Sequence, residues 1–323
     1  MTLGSDVVTR MDPELVADVE GRPLLNLDDV EATRAIMRER AEARSISHRA
    51  DVSRRDIRIS ASDGLHEVTL RLYRPFHGSG LPCLVWMHAG GFVMGSIDDD
   101  DAFLEELVSS HGCAAMSVEW RWAPEAPYPA ALDDCYDGLA WVFAHGSEEG
   151  IDTRRVAIGG ASCGGGLAAG LTLLSRDRDE FDVCFQLLVY PMLDDRNETP
   201  SSYDITDPRV WNRKTNIKAW NHYLSNLGAV DTPAYAAPSR AVDLSGLPPA
   251  FIGVGALDPL LDEDVDYALR LLRCGVSTEL HVYPGAPHGV MRMAPHTAVV
   301  RQFASDRDNA LRRALGLVVS DEH

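Results

Sequence analysis

The sequence predicts an α/β fold: a mostly parallel central sheet, helices on both of its faces and a helical cap. Three observations carry this reading. Short apolar runs alternate with helix-like segments from residue 83 onward, an alternating hairpin pattern precedes them, and the rhythm stops in one long stretch, 195–245. Apolar runs of strand length are buried on both faces, as in parallel strands whose crossovers are helices.

In chain order, the first 45 residues are polar and lean towards helix. Asp28 and Asp29 precede Val30, Ala32, Ile36 and Met37, acidic residues suited to a helix start ahead of an amphipathic pattern. Ile57 and Ile59 then alternate with polar residues, Ser62-Asp63-Gly64 makes a turn, and Val68, Leu70 and Leu72 alternate again, which is a β-hairpin ending at Pro75. Strands are expected at Cys83–Met87, Cys113–Val118, Val156–Ile158, Cys184–Tyr190, Ala250–Val254 and Leu280–Tyr283. Helices fall between and after them, at Ala102–Ser110, Ala130–Ala144, Gly164–Ser175, Asp262–Cys274 and Ala298–Leu315. Segment 195–245 is too long for a plain loop and carries Tyr203, Trp211, Trp220 and Tyr223 among polar residues. It reads as a cap insertion, joined by residues 1–50 as an N-terminal cap segment; residues 51–194 and 246–323 are the two parts of the core. In open sheets of this kind ligands bind at the carboxyl ends of the strands.

A net charge of −19 over 323 residues leaves no basic face for nucleic acid. It mildly disfavours anionic substrates. Six cysteines (83, 113, 135, 163, 184 and 274) show no paired spacing and read as reduced, buried thiols. Residues 1–20 hold no apolar signal region, and no stretch is long and apolar enough to span a membrane. The expectation is a soluble cytoplasmic protein, acting alone or as a homo-oligomer.

Residues 156–169 read VAIGGASCGGGLAA, so Gly160-Ala161-Ser162-Cys163-Gly164 forms a G-x-S-x-G turn between a strand and a small-residue helix. There a serine sits on a sharp elbow, and the following helix points N–H groups at developing negative charge. His88-Ala89-Gly90-Gly91-Phe92 follows an expected central strand, and its glycines can expose N–H donors to an oxyanion. A general base should lie past the last strand, where His288 stands; His281 falls within a strand, His296 in the final helical region and His323 at the terminus. Asp258 ends the strand before it, whereas Asp262, Glu263 and Asp264 suit a helix N-terminus. The order Ser162, Asp258, His288 is that of a catalytic triad.

Several of these motifs together resemble the hormone-sensitive-lipase-like carboxylesterases of the α/β-hydrolase superfamily, from about residue 55 to the end. His88–Phe92 resembles the family's HGGG motif. Arg121-Trp122-Ala123-Pro124-Glu125 with Pro129–Asp134 is similar to its Y-R-L-A-P-E…P-A-A segment, Asp258–Glu263 to D-P-L-x-D-E, and His288-Gly289 to its H-G. The resemblance implies a serine esterase for short- to medium-chain esters, with an oxyanion hole at Gly90, Gly91 and Cys163. Segments 1–50 and 195–245 would cover the acyl and alcohol pockets, and Phe92, Tyr203, Trp211 and Trp220 are candidate walls. The partner implied is a small ester, and no metal or organic cofactor. The Asp98–Asp101 run could hold a cation but reads more plainly as a solvated helix start. The chain departs from the pattern at Ala89, Trp120, Trp122 and Ala161. A lactonase, amidase or acyltransferase would use the same machinery. A non-catalytic binding protein is the alternative of another class: plant gibberellin receptors resemble this family but have lost the histidine, which here is present as His288.

Overall fold

The alternating hairpin forms β1 (Val52–Ser60) and β2 (Glu67–Pro75), paired antiparallel with Ile57 opposite Leu70. The apolar runs form β3 (Leu81–Met87), β4 (Ala114–Glu119), β5 (Ile151–Ala161), β6 (Phe185–Val189), β7 (Ala250–Leu257) and β8 (Thr278–Pro287). All eight make one sheet in the order β1-β2-β4-β3-β5-β6-β7-β8, antiparallel across β1, β2 and β4 and parallel beyond. This computed structural model describes residues 7–43, 48–228 and 231–317. Parts of both expected cap segments (1–6, 44–47, 229–230), and His323, lie outside the described residues.

Alternate residues of each central strand feed two cores. Cys83, Val85 and Met87 of β3 enter one, with Met116 and Val118 of β4, while Leu84 and Trp86 enter the other with Ala115. This is the period-2 geometry of a strand covered on both faces. The helices are α1 (Val7–Arg10), α2 (Pro13–Glu20), α3 (Val30–Glu42), α4 (Asp101–His111), α5 (Ala130–His145), α6 (Cys163–Arg178), α7 (Pro200–Asp204), α8 (Arg213–Tyr223), α9 (Leu261–Arg273) and α10 (Ala298–Ala314). Local chemistry fixes their starts. Asp12 caps α2 ahead of Pro13, Asp29 caps α3, and Asn212 caps α8 by accepting the Thr215 N–H. None of the described helices is long and apolar enough to cross a membrane.

Two features depart from the expected pattern. β5 begins five residues before the apolar run, because Ile151 pairs with Leu81 of β3; Asp152–Arg155 lie in the irregular stretch between that pair and Cys83 opposite Val156. The Asp98–Asp101 run is not a solvated helix start throughout: Asp100 and Asp101 are buried and paired. Asp100 accepts from Trp86 Nε1 (2.8 Å) and Arg292 Nη2 (2.8 Å), while Asp101 accepts from Tyr73 Oη (2.6 Å) and pairs with Arg71 and Arg54. Those guanidiniums supply the compensating charge that a buried carboxylate needs.

Buried Arg34 of α3 ties the segment before β1 to the loops that follow β3 and β4. Arg34 donates from Nε to the Val93 carbonyl (2.7 Å) and from Nη2 to that of Ala123 (2.9 Å). It also grips both oxygens of Glu125 and lies 4.9 Å over the Trp122 ring. Arg34→Ala leaves two carbonyls and a carboxylate without their donor. The loss should be about 2–3 kcal/mol, read as a lower midpoint in urea denaturation.

Glu119 closes β4 and accepts the Ile97 N–H (2.8 Å). Burial pushes its carboxyl up to about 7 from 4.5. The folded chain therefore holds a proton that the unfolded chain has released, so stability declines as pH rises from about 4.5 towards 7. The decline attributable to this group should be about 1–3 kcal/mol, and Glu119→Gln should flatten that part of a pH series of urea denaturations.

Candidate active site

Ser162 sits between β5 and α6 with φ 57° and ψ −123°. A side chain in this region of backbone space carries strain of about 1–3 kcal/mol and persists only where its surroundings hold it. They do so from both sides: its N–H donates to Val189 of β6 (2.9 Å), and its carbonyl accepts from Gly166 and Met192 (3.0 Å each). Gly164 permits the approach of α6 to the end of β3, since a Cβ there would lie 2.2 Å from the Met87 carbonyl oxygen. The loop following β3 therefore abuts the first turn of α6.

His288 and Asp258 reach the serine from the carboxyl ends of β8 and β7. Asp258 is fully buried; its Oδ1 accepts the Leu260 N–H (3.0 Å) and its Oδ2 lies 2.7 Å from His288 Nδ1. The carboxylate is an acceptor only, so Nδ1 carries the proton and Nε2 is left as the acceptor. Nε2 lies 2.9 Å from Ser162 Oγ. The edge of Tyr190, which follows β6, packs on the His288 ring at 4.9 Å. Tyr190 was missed in the sequence; its place at a strand's carboxyl end was the available signal. His281 is half-buried in β8, bonded to Glu279 (2.8 Å), and takes no part in this array.

The loop after β3 is built on a buried histidine. His88 stacks on Trp120 at 4.4 Å, so one residue that departs from the family pattern forms the floor of this loop. Burial pushes His88 down, leaving it neutral, with Nδ1 3.0 Å from the Ala89 carbonyl. Gly90 adopts φ 152° and Gly91 φ 58°, and the Gly90 carbonyl accepts from Val93 and Met94 (3.1 Å each). Among the described residues, the N–H groups of Gly90, Gly91 and Cys163 donate to no backbone carbonyl. The Cys163 thiol lies 4.0 Å from the His88 carbonyl, and burial pushes it up to about 11.

Of the four candidate wall aromatics, the structure brings one to the site. Trp211 lies 5.9 Å from the His288 ring and directly over Gly91, where a Cβ would come within 2.5 Å of its indole. Its Nε1 donates to Asn216 (2.9 Å), which in turn donates to Asn197 (2.5 Å), fixing the ring's tilt. Phe92 and Trp220 do not line the cavity at His288. They are buried with Tyr223, on which Phe92 stacks at 3.9 Å, because the large apolar rings of α8 need a core of their own. Tyr203 is more than half exposed and lies beneath the Arg213 guanidinium (4.2 Å), away from the site. The cavity beside His288 measures about 210 Å³ and is walled by residues 18–41, by 208–211 and by Gly289 and Arg292.

An α/β-hydrolase family model matches residues 84–292. A bacterial heroin esterase of known structure superposes with a TM-score of 0.92 at 40% identity, covering 96% of this chain and 99% of that one. Esterase LipW from Mycobacterium marinum gives a TM-score of 0.86 at 36% identity, over 95% and 96% of the two chains. Carboxylesterase NlhH of Mycobacterium tuberculosis is 34% identical over 294 residues, 89% of this chain and 90% of its own length. The chain belongs to the hormone-sensitive-lipase-like carboxylesterases. It is a carboxylic ester hydrolase.

In this esterase the acidic residues after Asp258 form the first turn of α9, as their pattern suggests. Glu263 is buried at the first turn of α9, and its Oε1 accepts the N–H groups of Leu193 and Asp194 (2.8 and 3.1 Å), bracing the loop that follows Tyr190. Burial pushes its carboxyl, and that of Asp264, well above the usual range. Asp262 is the partly exposed member and accepts the Ser201 N–H (2.7 Å).

Proposed function

We propose that the chain hydrolyses short- to medium-chain carboxylic esters through an acyl-enzyme on Ser162. His288 removes the Oγ proton as the serine attacks the carbonyl carbon, and Asp258 steadies the imidazolium that forms. Donors at Gly90, Gly91 and Cys163 hold the oxyanion, each contributing about a hundred- to a thousandfold in rate. His288 then returns the proton to the departing alcohol, and water activated by the same ring releases the acid. The observation that carries the reading is His288 spanning the 2.7 Å and 2.9 Å contacts from Asp258 to Ser162. A cavity of about 210 Å³ favours small acyl or alcohol groups, since pockets for drug-sized ligands start at about 300 Å³. Residues 1–50 and 195–245 act as its cover, with Trp211 as the aromatic wall. Buried thiols with raised pKa, such as Cys163 and Cys113, suit a reducing, cytoplasmic setting.

The test is a p-nitrophenyl ester series from acetate to laurate, combined with fluorophosphonate labelling. Turnover should peak at short chains, the label should map to Ser162, and Ser162→Ala should abolish labelling and cut kcat by about a millionfold. Turnover by Ser162→Ala at the wild-type rate would remove this serine from the mechanism.

A further inference from the structure

The protein is strongly acidic, yet the wall of the cavity beside His288 is not. Arg22, Arg40, Arg209 and Arg292 all line it, against Asp18 and Asp99. Three of the four guanidiniums have a carboxylate partner: Arg22 has Asp18 (3.2 Å), Arg209 has Asp207 (2.5 Å) and Arg292 has Asp100 (2.8 Å). Arg40, exposed in the last turn of α3, has none among the described residues; its one hydrogen bond is a long contact to the Gly21 carbonyl (3.5 Å). The two acids on the wall are already engaged, Asp18 by Arg22 and Asp99 by the Ser96 N–H.

Arg22 and Arg40 also stand close enough to repel each other. Burial lowers the pKa of Arg22, and the Arg40 charge adds to that lowering against the pull of Asp18. Two neighbouring cations on a concave wall, one lacking a counter-ion, make a local positive field inside a protein of opposite overall charge. A guanidinium presents planar paired donors that match a carboxylate. Residues 22 and 40 belong to the segment before β1, whereas His288 follows β8, so both ends of one bound molecule could be met in the same cavity.

We propose that this esterase prefers esters carrying a second, ionised carboxylate, such as half-esters of aliphatic dicarboxylic acids, and that Arg40 with Arg22 selects them. The inference rests on the esterase reading of Ser162. In the reaction the acyl C–O bond breaks and water adds hydroxyl to the acyl carbon. Its remaining hydrogen goes to the alcohol, and the new carboxylic acid ionises to give a dicarboxylate and one released proton.

The matched probes are monomethyl adipate and methyl 6-oxoheptanoate, in which a methyl ketone replaces the carboxylate, followed by proton release in a pH-stat. Wild type should favour the half-ester in kcat/KM by roughly tenfold, the effect of one charged hydrogen bond. Arg40→Gln should erase most of that ratio, chiefly through KM for the half-ester; Arg40→Lys should retain part of it, and added salt should shrink it in wild type. A wild-type ratio at or below one, or a ratio that Arg40→Gln leaves intact, overturns the proposal while the esterase reading stands on turnover of the ketone ester. Failure to hydrolyse either ester, with no fluorophosphonate label on Ser162, overturns both.

Discussion

Asp258→Asn should lower kcat on a p-nitrophenyl ester by on the order of ten-thousandfold while KM stays close to wild type. Asparagine fits the same space, but it can offer its NH2 to His288 Nδ1 in place of an acceptor. The ring would then settle with its proton on Nε2, and the lone pair that must receive the Ser162 proton would be gone. Because Asp258 Oδ1 also accepts the Leu260 N–H, the substituted amide can keep its oxygen there, which favours this wrong orientation. The neighbouring Asp264 provides the control. It is equally buried, and burial pushes its carboxyl well above the usual carboxylate range, towards the uncharged form that Asp264→Asn mimics. Its kcat should stay within about threefold of wild type. Equal losses in the two variants would mean that general disruption of the start of α9, and not the tautomer of His288, sets the rate.

Gly90→Ala should cost about a hundred- to a thousandfold in kcat, the effect of losing a donor from an oxyanion hole. A Cβ at this position would lie 1.8 Å from the Met94 carbonyl oxygen, and φ 152° is a conformation that only glycine adopts readily. The loop must therefore rebuild, moving the N–H groups of residues 90 and 91 together. The measurement is kcat and KM beside a thermal melt. A variant that melts near wild type but has lost kcat places the effect in the loop's donors. A variant with normal kcat would show that the 90–91 backbone contributes nothing to the transition state. Ala89 offers the contrast: the chain already carries a Cβ there, and its carbonyl still meets His88 Nδ1.

Most of what positions Ser162, Asp258 and His288 was legible because each lies just past an apolar strand, and strand order alone brings those ends together. The first half of β5 was not, since Asp152, Thr153, Arg154 and Arg155 look like a turn until Ile151 is seen beside Leu81. The burial of Asp100 and Asp101 was hidden for a different reason. Their partners Arg292, Arg71 and Arg54 come from distant parts of the chain, and a run of four aspartates reads as solvated without them. The aromatics of 195–245 carried no mark separating wall from core. Trp211 and Trp220 have the same composition around them, and only the seating of α8 sends Trp220 inward against Phe92 while Trp211 is left beside His288. Glu263 was legible as a structural acid of a helix first turn, but not what it braces, because that backbone lies some seventy residues earlier, at Leu193 and Asp194.

The triad stands on strand ends, while much of the cavity wall comes from residues 18–41 and 208–211, outside the sheet. The two parts are therefore open to selection separately. Changes at the solvent-facing wall positions of these segments can reshape what the cavity admits without altering the strained elbow at Ser162. A laboratory library confined to positions such as Pro23, Arg40, Ala41 and Pro208 should consequently yield many folded variants with altered preferences. The same number of changes spread over β3, β5 and β7 should yield mostly losses of fold. Descendants of one such chain could diverge in diet while sharing one chemistry.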